Sequence, residues 1–119
     1  DKFLLSSIVN DVNNVSPTTT ATNYTLTIPI GINANVIINA ALKNNGTAYL
    51  RVYSPTQTDV TVTLNNANLN VGNTTAPTNE AVQLQILTNK SAQIRTRADS
   101  STSGFYVSTD GWDDYRGKI

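Results

Sequence analysis

The chain of 119 residues balances eight Lys or Arg against eight Asp or Glu, for a formal net charge of zero, and contains neither Cys nor His. At this length one domain with its own core is expected, without need of disulfide staples. The two missing residue types exclude disulfides, thiolate and imidazole metal sites, and Ser-His-Asp or Cys-His catalysis.

Only 13% of residues are charged, and the basic ones do not cluster. Nucleic acid and a polybasic membrane contact are therefore not expected. No apolar run reaches the ~18–20 residues of a membrane span, so membrane insertion is not expected either. Solubility rests on Asn, Thr, Ser and Gln, a composition usual in rigid β proteins that work outside cells or on virus particles. Asp1 is an odd start, which leaves a fragment or a processed product open.

Residues 1–23 are ambiguous. Leu5, Ile8, Val12 and Val15 are spaced like a two-heptad coiled-coil stripe, the end of a fibre stalk. The Asn, Ser and β-branched residues among them favour a strand instead, and two heptads make a marginal helix. Residues 24–119 read as a β-sandwich, the whole forming a single domain.

In chain order, Tyr24-Thr-Leu-Thr-Ile-Pro-Ile30 alternates, with Leu26, Ile28 and Ile30 on one side. Asn35–Leu42 is more apolar and suits a strand covered on both faces. Asn44-Asn-Gly46 is a hairpin signal, because a tight turn needs residues that accept positive φ. Thr47–Ser54 sets Tyr49, Arg51 and Tyr53 against Leu50 and Val52, and Pro55 ends it. Val60-Thr-Val-Thr-Leu64 predicts a strand with Val60, Val62 and Leu64 inward. Asn65–Asn79 predicts a polar loop, flexible or ordered by a partner.

Val82, Leu84 and Ile86 mark the next strand, and Asn89-Lys90 a turn. Gln93-Ile-Arg-Thr-Arg97 puts Arg95 and Arg97 on one face with Ile94 opposite. Asp99–Gly104 reads as a Ser-rich turn and Phe105–Thr109 as the closing strand. About eight short strands at 8–12-residue spacing predict an all-β antiparallel sandwich or jelly roll.

Four features invite functional readings. The Tyr49, Arg51 and Tyr53 stripe suits a sugar ring or an interface. Arg95 and Arg97 suit a carboxylate or phosphate clamp, or else pairing with Asp59, Glu80, Asp99 or a neighbouring subunit. Asp110, Asp113 and Asp114 around Gly111-Trp112 suit a glycosidase pair, a calcium site or a solvated terminal turn with Trp112 in the core. The turn is the expected state, with no metal and no cofactor. The sequons beginning at Asn14, Asn23, Asn45, Asn73 and Asn89 match what so much Asn and Thr yields by chance.

Several segments together carry a resemblance. They are Tyr24-Thr-Leu-Thr-Ile-Pro-Ile-Gly31, Asn35-Val-Ile-Ile38, Tyr53-Ser-Pro-Thr-Gln-Thr-Asp59, Gln93-Ile-Arg-Thr-Arg97 and Gly111-Trp-Asp-Asp-Tyr-Arg-Gly-Lys118. From Tyr24 to Lys118 the chain resembles C-terminal domains of bacteriophage and prophage tail-fibre or virion structural proteins. The resemblance implies a β-sandwich knob that forms a homotrimer on a fibre or needle tip. It implies attachment to a host cell-surface glycan or protein, contact with other virion proteins, a place on the particle surface outside cells, and no enzymatic activity.

Loops on a rigid scaffold usually carry such contacts. Candidate receptor-binding residues are therefore Tyr49, Arg51 and Tyr53 with Asn73, Thr75 and Ser101. Candidate subunit-contact residues are Arg95, Arg97, Trp112, Asp114 and Arg116, the last pairing with a neighbour's carboxylate. Two other classes remain: a capsid-decoration or collar protein without receptor binding, and a carbohydrate-active enzyme fragment using Asp110, Asp113 or Asp114.

Overall fold

The alternating segments assemble into two four-stranded antiparallel sheets. The computed structural model describes residues 2–44, 46–72, 78–100 and 104–114. Within them lie eight strands and no helix: β1 Lys2–Val15, β2 Thr22–Thr25, β3 Asn35–Asn44, β4 Ala48–Tyr53, β5 Leu69–Val71, β6 Thr78–Leu87, β7 Gln93–Ala98 and β8 Gly104–Asp113. One sheet runs β1-β8-β3-β6 and the other β2-β7-β4-β5.

The pairing is nested, with β1 on β8, β2 on β7, β3 on β6 and β4 on β5. The chain thus behaves as one long hairpin folded at the β4–β5 link and rolled so that successive rungs fall in alternate sheets. This is the jelly-roll arrangement expected from the strand count.

The inner faces carry the predicted alternation. Val36, Ile38, Ala40 and Leu42 of β3 meet Ala48, Leu50 and Val52 of β4, and all are buried. Phe105 and Val107 of β8 and Ile94 of β7 complete the centre. The Phe105 ring lies 6.0 Å from that of Tyr24, tilted by 51°. Residues 2–15 form a strand rather than a helix, and Val12 from it is part of the core.

Several local expectations give way. Asn44-Asn-Gly46 does not join a hairpin, because β3 and β4 belong to different sheets. Gly46 does take the positive φ of 113° that the tripeptide signals. The turn chemistry was right, yet the chain uses it to turn a corner between sheets. Strand β2 stops at Thr25, and Ile30 is 75% exposed where an inward side chain was expected. Pro29 has no N–H to extend a ladder there.

Residues 60–64 are not a strand. Only Val62 is buried, while Val60 and Leu64 are exposed. Asn66 organises this stretch locally, accepting from Thr63 N at 2.9 Å and donating to Thr61 O at 3.0 Å. The expected loop 65–79 instead contains β5, whose Leu69 and Val71 are buried. The Asn35–Leu42 segment is covered on both faces only at Val36–Ile38, and Asn39 faces solvent. The closing strand runs on to Asp113, so Gly111–Asp113 is paired backbone rather than a terminal turn, and Asp110 sits at a register shift without a partner on β1 or β3.

Candidate functional site

Strands β4 and β7 lie side by side, with Arg51 opposite Arg97 and Tyr53 opposite Arg95. Since their inner positions are filled by Leu50, Val52, Ile94 and Ala98, the outer face receives Tyr49, Arg51, Tyr53, Arg95 and Arg97. Sequence alternation placed Tyr49, Arg51 and Tyr53 on one face and Arg95 with Arg97 on another; the pairing of β4 with β7 joins the two sets. Like charges directly across a ladder repel, and the surrounding residues relieve that repulsion.

Asp59 is the centre of the arrangement. Its Oδ1 accepts the Tyr53 hydroxyl at 2.7 Å, and its Oδ2 accepts Arg97 Nη1 at 3.1 Å. A turn at Ser54–Gln57 brings it back over the sheet: Gln57 N donates to Ser54 O at 3.0 Å, with Pro55 at the second position that its fixed φ favours. The Arg51 guanidinium sits 4.4 Å from the centre of the Tyr53 ring, a cation–π contact. Arg95 Nε donates to Asn23 Oδ1 of β2 at 2.7 Å. Tyr49 is held through its backbone, its N–H donating to Asp99 Oδ1 at 2.9 Å.

These contacts tune two ionisations. The hydrogen bond from Tyr53 first, with smaller help from Arg97, holds the Asp59 carboxyl below its ordinary value, against a desolvation effect that is weaker than the Tyr53 bond but stronger than the Arg97 one. Burial first, then the hydrogen bond to Asp59, pushes the Tyr53 hydroxyl up to about 12. Tyr53 therefore remains a donor and Asp59 an acceptor throughout the neutral range. Three guanidinium groups share this face with one carboxylate in direct contact, which leaves it electropositive. Among the described residues neither Arg51 nor Arg95 has a carboxylate partner.

Beside this face the sandwich edge is open. At one end Glu80 of β6 accepts Asn70 N of β5 at 3.0 Å and closes the gap between the sheets. Strand β5 covers β4 only along Ala48–Leu50. Beyond Leu50 the β4 edge is met by Asn68, whose Oδ1 accepts Val52 N at 2.6 Å in place of a backbone carbonyl. There a cavity of about 540 Å³ opens between Arg51–Tyr53 of β4 with Ser54 just beyond it and residues 85–87 of β6, with Gln57, Asn66 and Asn68 on its wall. Its size lies within the ~300–1,000 Å³ of small-molecule sites. Sequence reasoning missed it, since it depends on which strands become edges.

The residues nominated for a subunit contact do not converge. Arg95 and Arg97 lie on the face just described, whereas Trp112 belongs to β8 in the other sheet. Trp112 is half-buried and stacks on Phe3 of β1, at 5.3 Å between centroids and 22° between planes, instead of filling the core. Asp114 is also half-buried just beyond β8. Asn73, Thr75, Ser101 and Arg116 lie outside the described residues.

One polar centre went unnoticed. Asp11 of β1 accepts Thr27 N and Thr109 Oγ1 through Oδ2, both at 2.7 Å, and Thr27 Oγ1 through Oδ1 at 2.6 Å. It fastens β1, β8 and the segment after β2. It is the only charged residue between Lys2 and Lys43, a signal that could have singled it out. No protein-family model matches the chain, and no curated protein sequence does so either.

Proposed function

We propose that this chain is an attachment domain of a bacteriophage virion, a trimeric fibre or needle tip whose β2-β7-β4-β5 face contacts a glycan on the host surface. The observation that carries the reading is the fixed Tyr–Arg face. Arg51 rests on Tyr53, Tyr53 and Arg97 share Asp59, and Arg95 is tied to Asn23. Side chains already held in place lose little freedom on binding, which favours recognition by a rigid surface. The sequence resemblance to virion fibre domains supplies the setting.

The edge strand β1 supports self-association. Phe3, Leu4 and Ile8 on it are 44, 67 and 50% exposed, and an apolar strand edge invites pairing with another chain. Light scattering on the purified domain should give three times the 12.8 kDa chain mass. Purified domain in excess should block adsorption of particles bearing it to host cells. Unchanged adsorption, with the domain bound firmly to particles, would replace attachment by the decoration or collar role. A monomer would remove the self-sufficient trimer.

A further inference from the structure

We infer that the cavity at the open edge of the sandwich is a subsite for a carboxylated saccharide, with the Arg51 guanidinium as the carboxylate's partner. This assignment rests on the attachment reading and gives it a ligand class. The cavity combines three kinds of wall. Leu87, 41% exposed, offers an apolar wall for the C–H face of a sugar. The side-chain amides of Gln57 and Asn68 line its wall, and Asn68 spends only its oxygen on the protein. Strand β6 pairs on one side with β3 alone. Every second residue of its cavity-facing edge, 85–87, therefore turns N–H and C=O groups away from the ladder. Such a mixture fits a ligand dense in hydroxyl groups.

The charge selects among such ligands. Arg51 lines the cavity, is half-buried, and among the described residues has the Tyr53 ring as its contact and no carboxylate partner. A neutral sugar seated there would strip water from the guanidinium and return no anion, which is unfavourable. A carboxylate would meet it with paired charge-assisted hydrogen bonds, the geometry that guanidinium groups favour. Arg95 and Arg97 add to the field, and Asp59 is already engaged by Tyr53 and Arg97. A peptide added as a strand to β4 fits poorly, because its uncovered edge spans only Arg51–Tyr53 against the ~5–6 residues of a usual strand.

The test is a titration of the intact domain with a hexuronic acid trisaccharide and with the same trisaccharide after reduction of its carboxyl groups, followed by amide NMR. The uronate should shift the amides of residues 51–54 and 85–87, and the reduced sugar should bind roughly 10- to 100-fold more weakly, the value of one charge-assisted hydrogen-bonded pair. Arg51→Gln should abolish that preference, and Arg51→Lys should restore only part of it, since lysine keeps the charge and loses the planar fork. Equal binding of both sugars, shifts elsewhere on the domain, or an unaltered preference in Arg51→Gln would overturn the assignment. If the domain still blocks particle adsorption while neither sugar shifts these amides, the subsite assignment alone falls. If adsorption is unaffected, the attachment reading falls separately.

Discussion

Replacing Asp59 by Asn removes one charge while keeping the shape, and it tests whether the Tyr–Arg face is organised from that carboxylate. The Asp59 and Arg97 side chains are 38 and 22% exposed, so their ion pair alone contributes about 0.2–1 kcal/mol. The second contact is stronger: Tyr53 is 3% exposed, and a hydrogen bond from such a hydroxyl to a charged acceptor contributes about 1.5–3 kcal/mol. The two share one carboxylate and do not add, and Asn can still accept one bond. The expected loss is about 1–3 kcal/mol, or roughly 4–12 °C in Tm for a domain of this size. Tyr53→Phe keeps the ion pair but deletes the stronger contact outright, and should cost at least as much.

The double variant should cost less than the sum of the two single changes, revealing their coupling. The pH dependence has a definite sign. Because the folded-state pKa of Asp59 lies below the ordinary 3.8, its contribution is present above that value and lost as pH falls through the folded pKa. The melting curves of wild type and variant should therefore converge in acid. Thermal unfolding followed by circular dichroism from neutral to acid pH measures all of this. Equal Tm values at neutral pH, or strictly additive single changes, would refute the central role of Asp59.

At the alkaline end, Tyr53 with its pKa raised from 10.0 to about 12 should contribute stability below pH 10 that is lost as pH rises towards 12; phenolate absorbance should show a late component that moves earlier in Asp59→Asn, beside Tyr24, which burial also raises and which should not move. Gly111→Ala should be destabilising by about 1–3 kcal/mol through overpacking, since its Cβ would strike the Phe3 carbonyl oxygen and come within 2.9 Å of Leu4 Cα. Hydrogen exchange should then quicken at Phe3 and Leu4, whereas unchanged exchange would contradict the close approach. Asp11→Ala should cost about 1–3 kcal/mol by leaving the buried Thr109 hydroxyl without its acceptor; restoration by a second change, Thr109→Val, would confirm the cause, and an unaltered Tm would refute it.

The inner faces were legible because period two is a local property. Leu50 and Val52 against Tyr49, Arg51 and Tyr53, and Ile94 against Arg95 and Arg97, follow from alternation alone, and burial agrees except at Tyr53, which is buried on the outer side as well. Pairing partners were not legible in the same way. Asn44-Asn-Gly46 and Asn89-Lys90 encode real turns: Asn89 Oδ1 accepts both Ser91 N and Gln93 N at 3.0 Å, with Ala92 at a φ of 59°. Each turn nevertheless joins strands of different sheets. A turn fixes the chain's direction over a few residues, whereas the partner strand is decided by burying both inner faces at once. The alternation at 60–64 misled for a related reason, because no neighbouring strand accepts that segment.

Two segments that carried the sequence resemblance, Tyr53–Asp59 and Gln93–Arg97, meet in space at a single carboxylate. The spacing of the first is understandable from its bonds: Pro55 turns the chain so that Asp59 returns to the hydroxyl of Tyr53. The second supplies Arg97 from the adjacent strand at the matching height, because Arg51 and Arg97 are register partners. Arg51 stands outside both segments and, like Arg95, has no carboxylate partner among the described residues. It also stands where β5 ends and the edge opens. The scaffold thus satisfies one arginine through its own acid and leaves another beside a cavity. If the face served only to hold the sheets together, pairing Arg51 with an acid of its own would lower its energy. Its charge, without a carboxylate partner among the described residues and beside an open, amide-lined space, is the physical ground for the proposal that this edge binds a ligand.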